Sequence, residues 1–192
     1  HRYVHVGTGN YNAETAKRYT DLSLLSADED LTADVQDLFN ELTASSRAPL
    51  QLSRGCLISP KQLLPELLAK IEREAAHARA GRGGLIRMKI NGLSEPDVVT
   101  ALFRASQDGV RVELVVRGVC TLRPRVPGVS ENISIVSVLG PFLEHARIFH
   151  FGNGGASEYY IGSADMRPRN LRRRVELLAP GRGRAWRGQL GA

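Results

Sequence analysis

The positions of apolar residues along the chain predict strands that alternate with helices. Near the start, Val4 and Val6 alternate with Tyr3 and His5 up to a glycine, which predicts a strand over 3–7. A short helix is predicted over 14–19. Thr32 is then predicted to cap a helix whose apolar residues recur at helical spacing: Val35, Leu38, Phe39 and Leu42.

The rest of the chain shows the same alternation more clearly. Ser59 and Pro60 are predicted to start a helix that ends near Ala80. Strands over 85–90 and 110–117, with a capped helix between them, are typical of a βαβ unit in a mostly parallel sheet. Further strands are predicted over 133–139, 145–151, 158–162 and 175–178. The fold class is therefore α/β, with a mixed sheet flanked by helices.

Two short stretches of the chain repeat the same pattern. Residues 3–10, YVHVGTGN, and residues 158–165, EYYIGSAD, each contain an alternating strand, a glycine, a hydroxyl residue, a small residue and then Asn or Asp. A strand that ends in a glycine turn presents backbone N–H groups and a hydroxyl to an anion. Gly162 and Ser163 are therefore candidate phosphate-binding residues.

A histidine and a cation precede the second copy of this pattern. His145 and Arg147 are two residues apart, a spacing that places both on one face of a strand. Together with the Gly162 turn they suit phosphoryl transfer, in which imidazole is a nucleophile or proton donor and arginine balances oxyanion charge. A strand histidine without such neighbours is more often structural, and this is our interpretation of His150, which is expected on the opposite face, and of His5.

Charge and composition narrow the possible partners. The 192 residues carry a formal net charge of +6, which favours a polyanion, whether nucleic acid, a phosphorylated small molecule or an inorganic polymer.

No apolar run approaches the roughly 20 residues needed to span a bilayer. Cys56 and Cys120 lack metal-ligand spacing, which favours two thiols. We expect a cytoplasmic protein, or one attached peripherally to the inner membrane, and a chain that begins inside a larger protein.

Three long stretches resemble bacterial polyphosphate kinases of the first type, which belong to the phospholipase D superfamily. These are RYVHVGTGNYNAETAKRYTDLSLLSAD, VELVVRGVCTLRP and EHARIFHFGNGGASEYYIGSADMRPRNLRRRVELLAP. The resemblance implies a phospholipase D-like fold. Residues 44–58 lack a clear period, and the module boundary lies there. Residues 1–46 would be the C-terminal part of one such domain and residues 47–192 the second domain.

The resemblance also implies an activity and its residues. It implies that the parent enzyme reversibly transfers the terminal phosphate of ATP to polyphosphate through a phosphohistidine. It places ATP against Tyr19, Arg117 and His145, with His145 as the catalytic acid or base. The phosphorylated histidine and the Mg²⁺ ligands of the family would lie upstream of His1, so no metal ligand is expected in this chain. The chain alone would be inactive, and the full-length enzyme would be a homo-oligomer.

A dense arginine cluster follows the second glycine turn. The cluster consists of Arg167, Arg169, Arg172, Arg173 and Arg174. Arg167 and Arg169 of this cluster, together with Arg147 before the turn, are candidates for holding polyphosphate, because arginine binds phosphate through two parallel hydrogen bonds and stays charged. The alternative for the later arginines is a solvated basic face. For the whole chain, the alternative is a non-catalytic module that binds RNA or polyphosphate. A phosphodiesterase is less favoured, since that activity needs lysine at position 147. After Pro180 the glycine- and arginine-rich tail departs from the family pattern.

Overall fold

The computed structural model describes residues 1–43 and 52–181. The first elements in chain order are β1 (Val4–Gly7), α1 (Ala13–Ala16), β2 (Tyr19–Thr20), β3 (Ser23–Ser26) and α2 (Glu29–Thr43). The next are β4 (Leu57–Ile58), α3 (Leu63–Arg79), β5 (Leu85–Ile90), α4 (Pro96–Gln107), β6 (Arg111–Val116) and β7 (Ile133–Val136). The last are β8 (Leu143–Glu144), β9 (Ile148–Phe151), β10 (Glu158–Gly162), α5 (Pro168–Arg172) and β11 (Leu177–Pro180). The predicted module boundary at 46–47 and the tail from 182 lie outside the described residues.

A seven-stranded sheet with the order β4-β11-β10-β9-β5-β6-β7 forms the centre of the fold. The predicted βαβ unit is confirmed, since β5 and β6 are parallel neighbours joined by α4. The prediction of a mostly parallel sheet is wrong. Only the β5–β6 and β6–β7 pairs are parallel, while β9 is antiparallel to β5 and β10, and β11 is antiparallel to β10 and β4. The connection from β9 to β10 is too short for the crossover that a parallel pair needs. The sheet is mixed, as the fold class states.

Helices α3 and α4 cover one face of this sheet. Alternate residues of β5 and β6 point towards them and are almost fully buried, including Ile86, Met88, Val112 and Leu114. Phe149 of β9 joins the same core. Burying apolar side chains of this size contributes about 1.5–3 kcal/mol each. The alternation of apolar residues in β5 and β6 therefore arises because one face of these strands is covered by α3 and α4.

Residues 1–43, called the first module below, pack on the sheet face opposite to α3 and α4, at the end of the sheet that contains β4 and β11. Strands β1 and β3 form an antiparallel pair, and α2 lies against β1. A second core cluster joins the two parts: Val4, Val6, Leu31, Leu38, Leu52, Cys56, Ile58 and Ala179. Strand β2 also pairs in parallel with β8, Tyr19 facing Leu143. These contacts bring the beginning of the chain to the segment that contains His145.

Two predicted helix starts are wrong. Helix α2 begins at Glu29, because the Asp28 side chain accepts a hydrogen bond from Leu31 N at 2.8 Å, and Thr32 lies inside the helix. The side chains of Phe39 and Leu42 in α2 are exposed.

Helix α3 begins at Leu63 and not at the predicted Ser59–Pro60 cap. The Ser59 hydroxyl instead donates to the carbonyl of Arg174 and accepts from Glu176 N, so it attaches the chain to the start of β11.

Two predictions near the site change because the modules pair with each other. The helix predicted over 14–19 ends at Ala16, since Tyr19 and Thr20 form β2. The strand predicted from 145 begins at Ile148, since residues 143–144 pair with β2 instead of the large sheet. Strands β5 and β10 have the predicted bounds.

Within the described ranges, no helix combines the length and the apolar character that crossing a bilayer would require. Both cysteines are free thiols, which confirms the expectation from their spacing; Cys56 is buried and Cys120 is partly buried.

His150 of β9 lies on the sheet face away from α3, since its neighbours Phe149 and Phe151 point into the helix-covered core. It is 6% exposed, and its ring stacks in parallel on Tyr159 with 4.3 Å between ring centroids. Among the described residues, neither ring nitrogen has a hydrogen-bond partner. Burial, with a further contribution from Arg87, lowers the pKa of His150. A buried polar ring without a partner destabilises the folded state.

We expect His150→Phe to raise the free energy of unfolding by about 1–3 kcal/mol, because it keeps the stacked ring and removes the unsatisfied nitrogens. Because the folded pKa is lowered, the unfolded chain takes up a proton at this histidine below about pH 6.5 while the folded chain does not. The native protein therefore loses stability as the pH falls, and the variant should lose less. Urea unfolding at pH 7.5 and pH 5.5 measures both effects.

The control is His77→Phe, which removes a partly exposed ring that accepts a hydrogen bond from Arg82. This change should not stabilise the chain. A lower unfolding free energy for His150→Phe at pH 7.5 would contradict the prediction.

Candidate active site

His145 lies between β8 and β9, where the two modules meet. Its backbone N–H donates to the carbonyl of Thr20 at 3.0 Å, which continues the pairing of β8 with β2. The residue is 8% exposed. The side chain therefore sits at a junction that neither module forms alone.

The carboxylate of Asp21 binds the imidazole from the first module. Its Oδ1 lies 2.9 Å from His145 Nδ1 and also accepts a hydrogen bond from the Thr8 hydroxyl at 2.8 Å. A carboxylate is an acceptor, so the neutral ring carries its hydrogen on Nδ1 and has a lone pair on Nε2. Gly9 leaves room for this group, because a Cβ there would overlap the Asp21 carboxylate and displace it from this position.

Arg147 contacts the same histidine, as the sequence spacing predicted. Its Nη1 lies 3.2 Å from Nε2 and 3.4 Å from Nδ1 of His145, and donates to the Thr8 carbonyl at 2.9 Å. Its Nη2 donates to Asp165 Oδ2 at 3.0 Å. Both members of this ion pair are buried. A buried pair of this kind is stable only when its remaining polar atoms are also hydrogen-bonded, and here they are.

Asn91, directly after β5, connects the remaining groups. Its side chain donates to the His145 carbonyl at 3.3 Å and accepts from Arg117 Nε at 2.8 Å, while its backbone N–H donates to Asp165 Oδ1 at 2.7 Å. Arg117 directly follows β6 and is partly exposed. The carboxyl ends of parallel strands are where open α/β sheets bind ligands. The Arg117 guanidinium therefore lies at the ligand-binding edge of the sheet, where its hydrogen bond to Asn91 holds it in place.

Tyr19 packs against the imidazole with 4.8 Å between ring centroids and an interplanar angle of 39°. A cavity of about 280 Å³ lies beside it, lined in part by Gly9, Tyr11, Tyr19 and Asp21. The structure thus brings together the three residues for which ATP contact was predicted, with His145 between Tyr19 and the Asn91–Arg117 pair. That they bind ATP remains a prediction.

The electrostatics keep His145 neutral near pH 7. Burial lowers its pKa most, and the positive charges of Arg147 and Arg117 lower it further, while Asp21 acts in the opposite direction. A neutral imidazole with its lone pair on Nε2, next to Arg147 Nη1, can accept a proton at that nitrogen, and only the protonated ring can then donate a hydrogen bond from Nε2 to a phosphate oxygen.

The predicted phosphate turn is arranged differently from expectation. The Ser163 N–H donates to the carbonyl of Leu177, and its hydroxyl donates to Glu176 Oε2 at 2.5 Å. A Cβ at Gly162 would overlap the Leu177 carbonyl, so this glycine allows β10 and β11 to approach closely. Both donors of Ser163 are occupied by protein acceptors. Phosphate binding by Gly162 and Ser163 stays a prediction, and this pairing argues against it.

Arg167 and Arg169 follow Asp165 along the chain and lie outside the contacts of His145 described above. They line a separate cavity next to the site. Their assignment to polyphosphate likewise stays a prediction.

The internal repeat is also present in the structure. Gly7 faces Ser23 across β1 and β3, and Gly162 faces Leu178 across β10 and β11, with equal separation along the chain. In each copy an acidic residue lies two positions before the facing residue and accepts a hydrogen bond from the hydroxyl after the glycine. These pairs are Thr8 with Asp21 and Ser163 with Glu176.

Sequence reasoning missed Asp21 and Asn91. The signal for Asp21 was available, since extending the repeat past its glycine turn aligns Asp21 with Glu176. No pattern in the sequence marks Asn91, because its partners lie on distant segments.

The described residues do not provide a metal site. Asp165 is bound to Arg147, and Asp21 is bound to Thr8 and His145. Across residues 1–43 and 52–181, no three or more His, Cys, Asp or Glu residues form a group that could hold a metal. The expectation of Mg²⁺ ligands upstream of His1 stays a prediction.

Comparison with known proteins gives strong matches over nearly all of the chain. The family model for polyphosphate kinase C-terminal domain 1 matches residues 1–48, and that for C-terminal domain 2 matches residues 56–191. The polyphosphate kinase of Prochlorococcus marinus (strain MIT 9313) is 53% identical over 178 residues, which cover 93% of this chain and 25% of the relative. That of Streptomyces coelicolor is 53% identical over 177 residues, covering 92% and 24%.

A solved structure is similar as well. The crystal structure of polyphosphate kinase from Porphyromonas gingivalis superposes with a TM-score of 0.90 at 37% identity, covering 98% of this chain and 28% of that chain. The chain thus spans about a quarter of the length of the curated relatives it matches.

Two substitutions should move the pKa of His145 in opposite directions. We expect Asp21→Asn to lower it, because the carboxylate that favours the imidazolium is lost, and Arg117→Gln to raise it, because a charge that disfavours the imidazolium is lost. NMR titration of the imidazole nitrogens measures both shifts. Asp97→Asn is the control, since that carboxylate pairs with Arg172 away from the site. Shifts of the same sign in both variants would refute this electrostatic description.

Proposed function

The chain belongs to the polyphosphate kinase family, and on that premise we propose that it is the C-terminal part of an enzyme that reversibly transfers the terminal phosphate of ATP to polyphosphate. The observation that carries the proposal is the convergence of His145, Arg147 and Arg117 at one edge of the sheet, with Tyr19 on the imidazole. Two cations and a neutral imidazole around one point suit a phosphoryl group.

The reaction proceeds by two displacements at phosphorus. A histidine nitrogen upstream of His1 attacks the γ-phosphorus of ATP, an N–P bond forms, and the P–O bond to ADP breaks. A terminal oxygen of polyphosphate then attacks the same phosphorus, which lengthens the polymer by one phosphate and releases the histidine. The reverse sequence makes ATP from ADP.

In both displacements His145 faces the transferring phosphate. Asp21 holds the hydrogen of the ring on Nδ1 and leaves Nε2 to accept a proton or a hydrogen bond. Because Arg147 is already paired with Asp165, its charge is fixed in position and costs no reorganisation during the reaction. Arg117 and Tyr19 position the nucleotide.

Glu176 has an equivalent place in the other copy of the repeat. Asp21, in the first copy of the repeat, binds His145, the histidine that precedes the second copy. By the same arrangement, we propose that Glu176, in the second copy, hydrogen-bonds the histidine expected upstream of the first copy. Glu176 is buried, and its carboxylate accepts from Asn170 at 2.6 Å and from Ser163. Those two donors orient it, as second partners orient catalytic ligands elsewhere.

The proposal for the parent enzyme includes ATP or ADP and polyphosphate as substrates, and a homo-oligomeric assembly. It also includes a cytoplasmic or peripheral inner-membrane location. Mg²⁺ would offset phosphate charge, with its ligands on residues upstream of His1. The net charge of +6 also fits a non-catalytic module for RNA or polyphosphate, and the activity test below separates the two functions.

The test uses this chain alone and a chimera in which it replaces the matching C-terminal quarter of the Streptomyces coelicolor polyphosphate kinase. We expect the chimera to synthesise polyphosphate from ATP and the 192-residue chain to be inactive. In the chimera, His145→Ala should reduce kcat by about 10²–10⁴-fold, the range for loss of an acid–base group. Arg123→Ala is a control on an exposed arginine. A folded chimera without activity would favour the non-catalytic module.

Glu176→Gln in the same chimera should slow formation of the phosphoenzyme by roughly 10–100-fold, the usual cost of losing an orienting partner. Rapid-quench measurement with γ-labelled ATP reports this step separately from overall folding. Glu113→Gln is the control, because Glu113 pairs with Arg87 on the sheet face away from α3. An unchanged rate of phosphoenzyme formation in Glu176→Gln would contradict the assignment.

A further inference from the structure

A short parallel pairing of strands holds His145 against the first module. Thr20 of β2 faces Glu144 of β8, and the two strands form a small sheet separate from the large one. The next residue on each strand is Asp21 and His145, whose side chains form the hydrogen bond between the modules. The geometry of that hydrogen bond therefore depends on the register of β2 and β8.

The backbone contacts of this pairing fix its register only weakly. Parallel pairing is slightly less stable per residue than antiparallel pairing, and two strands alone are marginally stable in water. A register is strongly specified where one face of a strand is buried. Here Leu143 is 40% exposed, and Tyr19 and Thr20 are only partly buried. A slip of one residue would move the Asp21 carboxylate away from the imidazole, so a further contact is needed to hold the strands in place.

An ion pair between Lys89 and Glu144 joins β8 to the large sheet. Lys89 Nζ lies 2.9 Å from Glu144 Oε2, and both side chains are partly exposed. The hydrogen bond from Lys89, and then its positive charge, lower the pKa of Glu144, so the carboxylate is ionised at neutral pH. A partly exposed ion pair contributes little to the stability of a whole fold, and its effect is therefore local.

Strand β5 is a rigid support for this ion pair. Met88, which precedes Lys89, is buried in the core that α3 and α4 cover. Asn91 follows Lys89 on the same face, as the alternation of a strand requires, and donates to the His145 carbonyl at 3.3 Å. Side chains from this one strand thus hold two consecutive residues of the segment, Glu144 and His145.

We propose that Lys89 is a positioning residue, which fixes the register of β2 and β8 through Glu144 and thereby keeps the imidazole of His145 on the carboxylate of Asp21. The consequence for phosphoryl transfer rests on the proposed function. The alternative for a lysine near this edge is direct contact with a substrate phosphate. The pairing with Glu144 argues against it, because the carboxylate already neutralises the ammonium group.

The tautomer of the neutral imidazole reports on this positioning, because Asp21 holds the ring hydrogen on Nδ1. The nitrogen NMR shifts of the His145 ring in the 192-residue chain, measured above the pKa of the ring, give the populations of the two tautomers. We expect Lys89→Met to lose the Nδ1–H tautomer and to approach the spectrum of Asp21→Ala, which has no carboxylate at this position. Lys89→Arg should keep the native tautomer, since it keeps the ion pair.

The matched control is Arg87→Met. It removes a cation from the same face of β5, where Arg87 pairs with Glu113 of β6 and not with β8. This variant should keep the native tautomer. Because both ion pairs are partly exposed, every variant should give the dispersed amide spectrum of a folded chain.

Kinetics in the chimera described above test the consequence for the reaction. We expect Lys89→Met to lower kcat roughly 10–100-fold with little change in KM, as the loss of an orienting contact does. Glu144→Gln should lower kcat by a similar factor. The double variant should lose no more than either single variant, because the two residues act through one contact.

Two outcomes would overturn the positioning role. The first is a native tautomer in Lys89→Met, or an equal change in Arg87→Met. The second is a raised KM with unchanged kcat, which would identify Lys89 as a substrate contact. An inactive chimera, with the Nδ1–H tautomer still lost in Lys89→Met, would count against the proposed function and leave the positioning role standing.

Discussion

The buried guanidinium of Arg147 is the constraint on which the candidate site depends. A charge removed from water must find partners in fixed positions, and Arg147 finds them on three separate segments. It binds Asp165 after β10, the carbonyl of Thr8 after β1, and the carbonyl and ring of His145. Because these contacts satisfy one charge, the two glycine turns and the histidine are held within a few ångströms of each other.

The two copies of the repeat lie in different modules, and each supplies an acidic side chain near the site. Each copy has a strand, a glycine that permits close approach of its neighbour, and a hydroxyl that donates to an acidic side chain. In the first copy the acid, Asp21, binds both Thr8 of its own module and His145 across the junction. A carboxylate supplied from the opposite module makes the geometry of the histidine depend on how the modules pack. The β2–β8 pairing and the shared cluster around Val6 and Ala179 therefore serve the site as well as the stability of the fold.

The sequence predicted the parts of the fold that depend on local periodicity. Strand β5 and its buried face follow from alternation alone, and the neighbourhood of His145 and Arg147 follows from their spacing. It did not predict Asp21 or Asn91 as partners of His145, because those contacts join residues far apart in the chain. For Ser163 the sequence showed a donor next to a glycine but could not show that Glu176 and Leu177 lie close enough to accept from it.

The charges around His145 connect phosphate binding to proton transfer. The carboxylate of Asp165 neutralises the charge of Arg147, and that of Asp21 binds the neutral imidazole of His145. Among the described side-chain contacts of Arg117, the only partner is the uncharged Asn91. In this state the two arginines disfavour a proton on His145. A phosphate that approaches Arg117 brings negative charge to the same point and raises the pKa of the imidazole. By linkage, phosphate then binds more tightly to the protonated form. A phosphate bound there would therefore favour the protonated form of His145, which can donate a proton, and loss of the phosphate would favour the neutral form, which can accept one.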